Sequence, residues 1–350
     1  MVSCPPLDRE EFGLWPQCHR CYVSGVSTLL TGLLGALIAT NQPVAVSNLV
    51  QQSTGISVSV PDPKDPVEKE FQKVMDLDDE AQGEVDKWIR DNEEFASKGA
   101  GMPKEQMRRR IQERLEPVDR AYQGFIQQHP NHSRARVAYA SFLGDTKGEE
   151  AAQEQLEKAL TVDTNNAAIY NNLANIYGHI GPVKKAFEFY TKAIQLNPIE
   201  PVYYHNFGTT VYLFRKDARE FYSITEPQVF AKALDLYSNA MRFDPQNFPL
   251  ASDVAQTYYG IQPLQSDQAL AAWTNALNLA HDEIEREGVY VHFARINMLA
   301  GRLGETHHFL SAITNDMYLE LKKRLTRNLN EREKGPGDTN TPAQATEKKD

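Results

Sequence analysis

The sequence predicts an all-α protein, built as an α-solenoid of helix hairpins. Apolar residues recur at helical spacing through most of the chain, and small and bulky residues return in the same order about every 34 positions. This interval separates Tyr139 from Leu173 and Ala152 from Ala186. Glycine and proline, such as Gly181, fall between the helical stretches. Hairpins that repeat in phase can stack and bury one shared interior.

The composition indicates a globular protein without a nucleic-acid partner. The 350 residues include 41% hydrophobic and 24% charged side chains, enough for a large core. The formal net charge of -10 argues against nucleic-acid binding, because phosphate contacts need a basic surface. All three cysteines precede residue 22, and the pair Cys18 and Cys21 lacks the further ligands that a structural zinc ion needs. We therefore expect no cofactor and no metal.

Residues 1–47 are predicted to be a signal peptide or a membrane anchor. No charged side chain occurs between Arg20 and Asp62, and the apolar segment 23–39 is shorter than the roughly twenty residues of a membrane span. Cleavage near Ala45 is favoured, and an uncleaved anchor with membrane association through residues 23–39 is the alternative. We expect an exported protein of a bacterial envelope, either in the periplasm or anchored to the inner membrane.

The folded body is expected to begin with a capping helix over residues 66–101, after a linker at 48–65. Apolar residues recur at helical spacing there, and the exposed end of a repeat array needs a cover. Residues 102–132 form a degenerate first repeat, with one helix predicted over 102–116 and a second over 117–128.

The repeat array is predicted over residues 102–329. Its later repeats occupy residues 133–166, 167–200, 201–247, 248–281 and 287–320, and a terminal helix continues to residue 329. An insertion at 217–230 delays the second helix of one repeat, and its aromatic residues predict a helix extension or a segment folded over the array. Residues 330–350, rich in Gly, Pro, Thr and Lys, are predicted to be disordered.

The segment 167–200 resembles the tetratricopeptide repeat. The large residues, small residues and closing proline of that family's pattern are matched by Tyr170, Leu173, Ala174, Tyr177, Ala186, Tyr190, Ala193 and Pro198. The resemblance implies a right-handed α-solenoid of stacked helix hairpins. As a function, it implies that a protein or peptide partner binds in a concave groove lined by the first helix of each repeat.

The groove positions of the family are strongly polar in this chain. The candidate partner-binding residues are Asn171, Asn172, Asn175, His179, His205, Asn206, Thr209, Asp253, Gln256, His292 and Arg295. An asparagine side chain both donates and accepts hydrogen bonds, so Asn172 and Asn206 are able to hold the backbone of an extended peptide, as in the asparagine ladder of some family members. Polar residues that only face water would give the same pattern. The family's carboxylate clamp is not matched, because Val202 and Asn206 stand where Lys or Arg is needed.

The sequence leaves two alternatives to a peptide-binding scaffold. One is a self-associating assembly factor that uses the N-terminal helix and the insertion 217–230. The other is a metal or acid–base site in the groove at His179, His205 and His292. An enzyme is not expected, because no catalytic motif occurs.

Overall fold

The computed structural model describes residues 64–334, and these residues form α-helices joined by short turns. Fourteen α-helices and two 3-10 turns occur in this range, which contains no strand. The predicted all-α class is therefore confirmed. The predicted signal or anchor at 1–47, its apolar segment 23–39, nearly all of the linker and the chain beyond residue 334 lie outside the described residues.

The chain divides into two compact units, Met1–Asn206 and Phe207–Asp350. The first unit contains α1 Pro66–Ser97, α2 Lys104–Gln128, α3 Ser133–Thr146, α4 Glu149–Val162, α5 Ala167–His179 and α6 Val183–Leu196. The helix α7, Pro201–Leu213, spans the division. The second unit contains α8 Arg215–Tyr222, α9 Glu226–Phe243, α10 Phe248–Thr257, α11 Ser266–Leu279, α12 Glu283–Leu299, α13 Leu303–Ala312 and α14 Leu319–Glu333.

The prediction of two helices within residues 102–132 is wrong, because α2 continues through Pro117 as one helix. Proline removes one backbone hydrogen bond, but its fixed φ is compatible with a helix. The residues that follow it, Val118, Tyr122 and Phe125, are buried in one cluster with side chains of α1 and α3. This packing stabilises α2 by more than the lost hydrogen bond costs. The helix that pairs with α2 is therefore α1.

Polar contacts add to the packing of α1 against its neighbours. The Tyr122 hydroxyl of α2 donates to the Asp78 carboxylate of α1 at 2.7 Å. Near the start of α1, Glu68 accepts a hydrogen bond from the Arg134 guanidinium of α3 at 2.6 Å. The aromatic ring of Phe71 lies 5.4 Å from that of Phe125. α1 is therefore built into the core of the first unit.

Small residues allow the paired helices α5 and α6 to approach closely. Ala174 on α5 and Ala186 and Ala193 on α6 are fully buried, and so is Leu173 between them. The preceding hairpin of α3 and α4 buries Ala140, Ala152 and Ala159 at the equivalent positions. The 34-residue interval read from the sequence is therefore an interval of buried small residues in the folded chain.

The second unit repeats this packing with larger aromatic residues. Ala269 and Ala276 of α11 are fully buried on either side of Trp273, which is itself fully buried. At the C-terminal end, Leu325 and Leu329 of α14 pack into a cluster with Leu310 of α13. α14 runs to Glu333, a few residues beyond the predicted end at 329.

The insertion 217–230 is folded. Most of its first half lies in the short helix α8. Ser223, the residue that follows α8, has a left-handed backbone conformation with φ of 54°. Its second half begins α9, where Thr225 and Gln228 form a capping box. Val229 and Phe230 are buried, which explains the apolar composition of the inserted sequence.

Candidate protein-binding surface

Four of the predicted site residues lie on α5, and they differ in how far they are exposed. Asn171 is buried, Asn172 and Asn175 are half-buried, and His179 is exposed at the end of the helix. Asn172 and Asn175 are three residues apart, so they share one face of the helix. We call these two residues the α5 face.

A chain of amide hydrogen bonds connects the buried asparagines to the α5 face. The Nδ2 atom of Asn206, on α7, donates to Oδ1 of Asn171 at 3.2 Å. The Nδ2 atom of Asn171 in turn donates to Oδ1 of Asn172 at 3.3 Å. Asn171 and Asn206 are only 3% and 5% exposed. Their amides therefore join two helices and orient Asn172, because each amide has one acceptor and two donor positions.

Asn175 is oriented by a tyrosine of the neighbouring helix. The hydroxyl of Tyr190, on α6, donates to Oδ1 of Asn175 at 2.7 Å. Tyr190 was expected from the sequence only as a bulky core residue. A buried tyrosine hydroxyl usually finds a hydrogen-bond partner, and this property was the available signal for its second role. The bond fixes the carbonyl end of the Asn175 amide and turns the amide nitrogen the other way.

The two candidate histidines of the first unit lie on different helices. His179 contacts Glu149 of α4 through Nδ1, at 2.6 Å from Oε1. His205 is half-buried on α7. Within residues 64–334, no group of three or more His, Cys, Asp or Glu side chains has an arrangement suited to a metal ion.

The predicted site residues of the second unit belong to a different arrangement, centred on aromatic rings. The imidazole of His292 stacks on the indole of Trp273, with centroids 3.9 Å apart and planes 8° apart. Its Nδ1 atom lies 3.1 Å from the Tyr259 hydroxyl. Burial, and then the positive charge of Arg295, lower the pKa of His292 to about 3. His292 is therefore neutral near pH 7 and contributes packing and one hydrogen bond.

Of the other candidate residues of the second unit, Arg295 contacts this aromatic group directly. The guanidinium of Arg295 lies 4.8 Å from the ring centroid of Tyr259, within cation–π distance. Asp253 and Gln256 are half-buried on α10. The Thr209 hydroxyl lies 3.1 Å from the hydroxyl of Tyr237, on α9. Tyr259 thus contacts both His292 and Arg295, whereas Thr209 contacts a different tyrosine, Tyr237.

The sequence of the α5–α6 hairpin matches a known repeat. Residues 167–200 match the model of the tetratricopeptide repeat. The chain contains a tetratricopeptide repeat. The match covers both helices α5 and α6 and therefore the α5 face. Tetratricopeptide repeats serve in general as scaffolds for interactions between proteins.

Comparisons with other proteins extend over different parts of the chain. An uncharacterized protein of Haemophilus influenzae is 32% identical over 81 residues, which are 23% of this chain and 45% of that protein. The chain thus matches less than half the length of this relative. Among solved structures, Pseudomonas aeruginosa PilF has 15% identity and a TM-score of 0.47, covering 70% of this chain and 98% of that chain. PilW, described as a type IV pilus biogenesis factor, has 14% identity and a TM-score of 0.49, covering 69% and 98%.

No helix within residues 64–334 is both long enough and apolar enough to span a bilayer. This statement concerns the repeats and their flanking helices alone. The apolar segment 23–39 lies outside that range.

Proposed function

We propose that the chain is a non-enzymatic scaffold that binds a protein partner, and that the α5 face of its tetratricopeptide repeat holds an extended segment of that partner. Asn172 and Asn175 are the contact residues in this proposal. Asn171, Asn206 and Tyr190 position them. The observation that carries the proposal is the orientation of the two amides by hydrogen bonds to their carbonyl ends.

The two amide nitrogens of the α5 face remain as donors. Within residues 64–334, no acceptor lies in hydrogen-bond range of Nδ2 of Asn172 or of Asn175, although both Oδ1 atoms are engaged. Each nitrogen carries two N–H groups, and a partner's backbone carbonyls are suitable acceptors. Because the amides are already oriented, binding costs little side-chain entropy.

The spacing of these donors suits an extended chain. Residues three apart on a helix have Cβ atoms roughly 5–6 Å apart. In an extended chain, residues that point the same way are about 6.6–6.8 Å apart, since each residue advances 3.3–3.4 Å. Two backbone carbonyls of one segment are therefore able to accept from Asn172 and Asn175 together. Recognition of this kind reads backbone, so other residues have to provide sequence preference.

The remaining predicted residues fit the proposal as contributors to preference. His179 is exposed one turn beyond Asn175 on the same helix, and His205 is half-buried on α7. In the second unit, Asp253, Gln256 and Arg295 are half-buried polar residues, and the proposal assigns them to partner contacts made by that unit. Thr209 and His292 support neighbouring tyrosines.

The proposed location is the bacterial envelope, with residues 1–47 as the export signal or anchor. It rests on the uncharged stretch between Arg20 and Asp62. N-terminal sequencing of the protein from a bacterial membrane and periplasm preparation tests it. A new N-terminus near residue 45 in the periplasmic fraction is expected, and full-length protein confined to the cytosol would reject the proposal.

Peptide selection followed by paired variants tests the α5 face. Random peptides of about 12 residues are selected against the full chain, and the selected peptides are measured by fluorescence anisotropy. Replacing Asn172 and Asn175 by Ala removes two hydrogen bonds worth roughly 0.5–1.5 kcal/mol each, so we expect about tenfold weaker binding.

The matched control replaces Glu188 and Gln195, two exposed polar residues of α6, by Ala. This control should bind the peptides as the wild-type chain does. Equal affinity for the wild-type chain and the Asn172→Ala, Asn175→Ala variant would reject the α5 face as the binding site. Far-UV circular dichroism of each variant verifies that the helices remain folded.

A further inference from the structure

The insertion of the second unit creates a cavity that the repeat pattern does not require. The cavity has a volume of about 320 Å³ and lies where α7 ends and α8 begins. The residues that line it include Leu213, Phe214 and Glu226, which lies at the start of α9. A pocket of this size is at the lower end of those that hold a small molecule or a few side chains of a peptide.

Three basic residues concentrate positive charge at this cavity. Arg215, Lys216 and Arg219 all line it, within five positions of one another, although the whole chain has a net charge of -10. Lys216 and Arg219 are exposed and lie one helical turn apart. Within residues 64–334, neither has a carboxylate within ion-pair distance. Their charges are therefore open to an anionic ligand.

Arg215 is held in a fixed position between two aromatic rings and a carbonyl. Its guanidinium lies 5.4 Å from the ring centroid of Tyr212 and 5.7 Å from that of Phe230. It also donates to the backbone carbonyl of Tyr212 at 2.9 Å. A guanidinium has five N–H donors in a planar arrangement, so donors remain for a carboxylate. The cavity thus contains one cation with several fixed contacts beside two exposed ones.

Two carboxylates and one apolar side chain narrow the class of ligand. Asp217 and Glu226 also line the cavity, and Glu226 lies 3.7 Å from Nε of Arg215. These negative charges repel a ligand with closely spaced charges, such as a phosphate backbone, more strongly than a ligand whose carboxylates are separated. Leu213 lines the cavity and is 60% exposed, so it offers an apolar contact next to the charged residues. Acidic residues next to a leucine or phenylalanine match this surface.

We propose that the cavity at the α7–α8 junction binds an acidic peptide segment, with Lys216 and Arg219 contacting its carboxylates and Leu213 contacting an adjacent apolar residue. The residues of this site belong to the second unit, whereas the α5 face belongs to the first, and the two sites differ in what they recognise: side-chain charge here and peptide backbone there. A partner segment recognised here would carry at least two acidic residues beside an apolar one.

Charge-reversal variants of the full chain test the site. The probe is a fluorescein-labelled, N-acetylated peptide of sequence EDLEDLG, and the neutral counterpart is QNLQNLG. We expect the acidic probe to bind more tightly than the neutral one, and about 0.5 M NaCl should weaken its binding. The Lys216→Glu, Arg219→Glu variant should bind the acidic probe at least about tenfold more weakly.

The matched control is Arg324→Glu, Arg327→Glu on α14. These two exposed arginines have the same spacing in the same unit, and within residues 64–334 they have no ion-pair partner. This control should keep its affinity within about twofold. An equal loss in both double variants, or no binding by the wild-type chain, would overturn the proposal.

Two further measurements separate a peptide site from general anion binding. Leu213→Ser should weaken the acidic probe about threefold and leave a leucine-free acidic probe unaffected. Single-stranded DNA of about ten nucleotides should compete poorly with the acidic probe. DNA that displaces the probe at equal concentration, or a Leu213→Ser variant with unchanged affinity for both probes, would overturn the assignment to acidic peptides.

Discussion

Replacing Gly208 by alanine tests the close approach of helices inside the second unit. A Cβ atom built at this position would lie 2.8 Å from Cε1 and 2.9 Å from Cδ1 of the Tyr237 ring. These distances are shorter than real side-chain contacts, so the ring or a helix has to move. Tyr237 is only 1% exposed, and its hydroxyl lies 3.1 Å from that of Thr209. Moving the ring therefore disturbs both packing and a hydrogen bond.

The expected change in stability has two parts of opposite sign. Overpacking a filled core costs roughly 1–3 kcal/mol. Alanine gains about 0.5–1 kcal/mol over glycine within a helix. The difference of the two ranges is a loss of about 0–2.5 kcal/mol in the free energy of unfolding for Gly208→Ala.

Gly124 provides the matched control, because it also lies within a helix, α2. A Cβ atom at Gly124 meets nothing within 4 Å. Gly124→Ala should raise the free energy of unfolding by about 0.5–1 kcal/mol through helix propensity alone. Urea unfolding followed by far-UV circular dichroism measures both variants. A Gly208→Ala variant that is stabilised as much as Gly124→Ala would refute the predicted helix contact.

Three further predictions concern buried polar groups. Burial raises the pKa of the Glu287 carboxyl, but hydrogen bonds from Asn315 and Thr314 outweigh this effect and lower the pKa overall. The ionised Glu287 carboxylate therefore stabilises the fold above its unfolded pKa, and this stabilisation is lost as the pH falls through the folded pKa. Glu287→Gln should lower the free energy of unfolding by about 1–3 kcal/mol at pH 7, but by much less at pH 3, as measured by urea unfolding. The pKa of His292 is lowered to about 3, so its imidazole should show no titration between pH 5 and 8 by NMR. Because the unfolded imidazole binds a proton more readily, His292 should reduce the stability of the fold as the pH falls from about 6.5 towards 3. An imidazole titration midpoint near 6.5 would contradict its burial. Asn206→Ala leaves Oδ1 of Asn171 without its donor, so urea unfolding should show a loss of about 1–3 kcal/mol, whereas an unchanged midpoint would argue against the buried amide bond.

The repeat interval was enough to predict most of the fold, because helices that pack closely need small residues at fixed positions. Ala174, Ala186 and Ala193 were expected at helix contacts, and all three are fully buried. The extent of α2 was not predictable in the same way. Pro117 is a helix breaker by local rules, and only the burial of Val118 and the residues after it against α1 and α3 reverses that expectation.

The site residues were harder to predict, because neighbouring polar residues on one helix differ in burial. Asn171 and Asn172 are adjacent in sequence, yet the first is buried against Asn206 and the second is half-buried. Sequence spacing assigns both residues to polar positions. Only the contact between α5 and α7 shows that Asn171 is a buried supporting residue and that Asn172 lies at the surface. Likewise, nothing local to His292 indicates that it stacks on Trp273, since 19 positions separate them in the chain.

The most direct measurement of the central claim is an NMR titration of the full chain, observing the asparagine side-chain amides. The ligand is a 12-residue peptide selected against the wild-type chain, and Asn239 of α9, whose Nδ2 donates to the Asp235 carbonyl, serves as an internal reference. The proposal predicts that the Nδ2 resonances of Asn172 and Asn175 shift with the same dissociation constant while Asn239 stays unchanged. Saturating binding that leaves both Asn172 and Asn175 unshifted would contradict it.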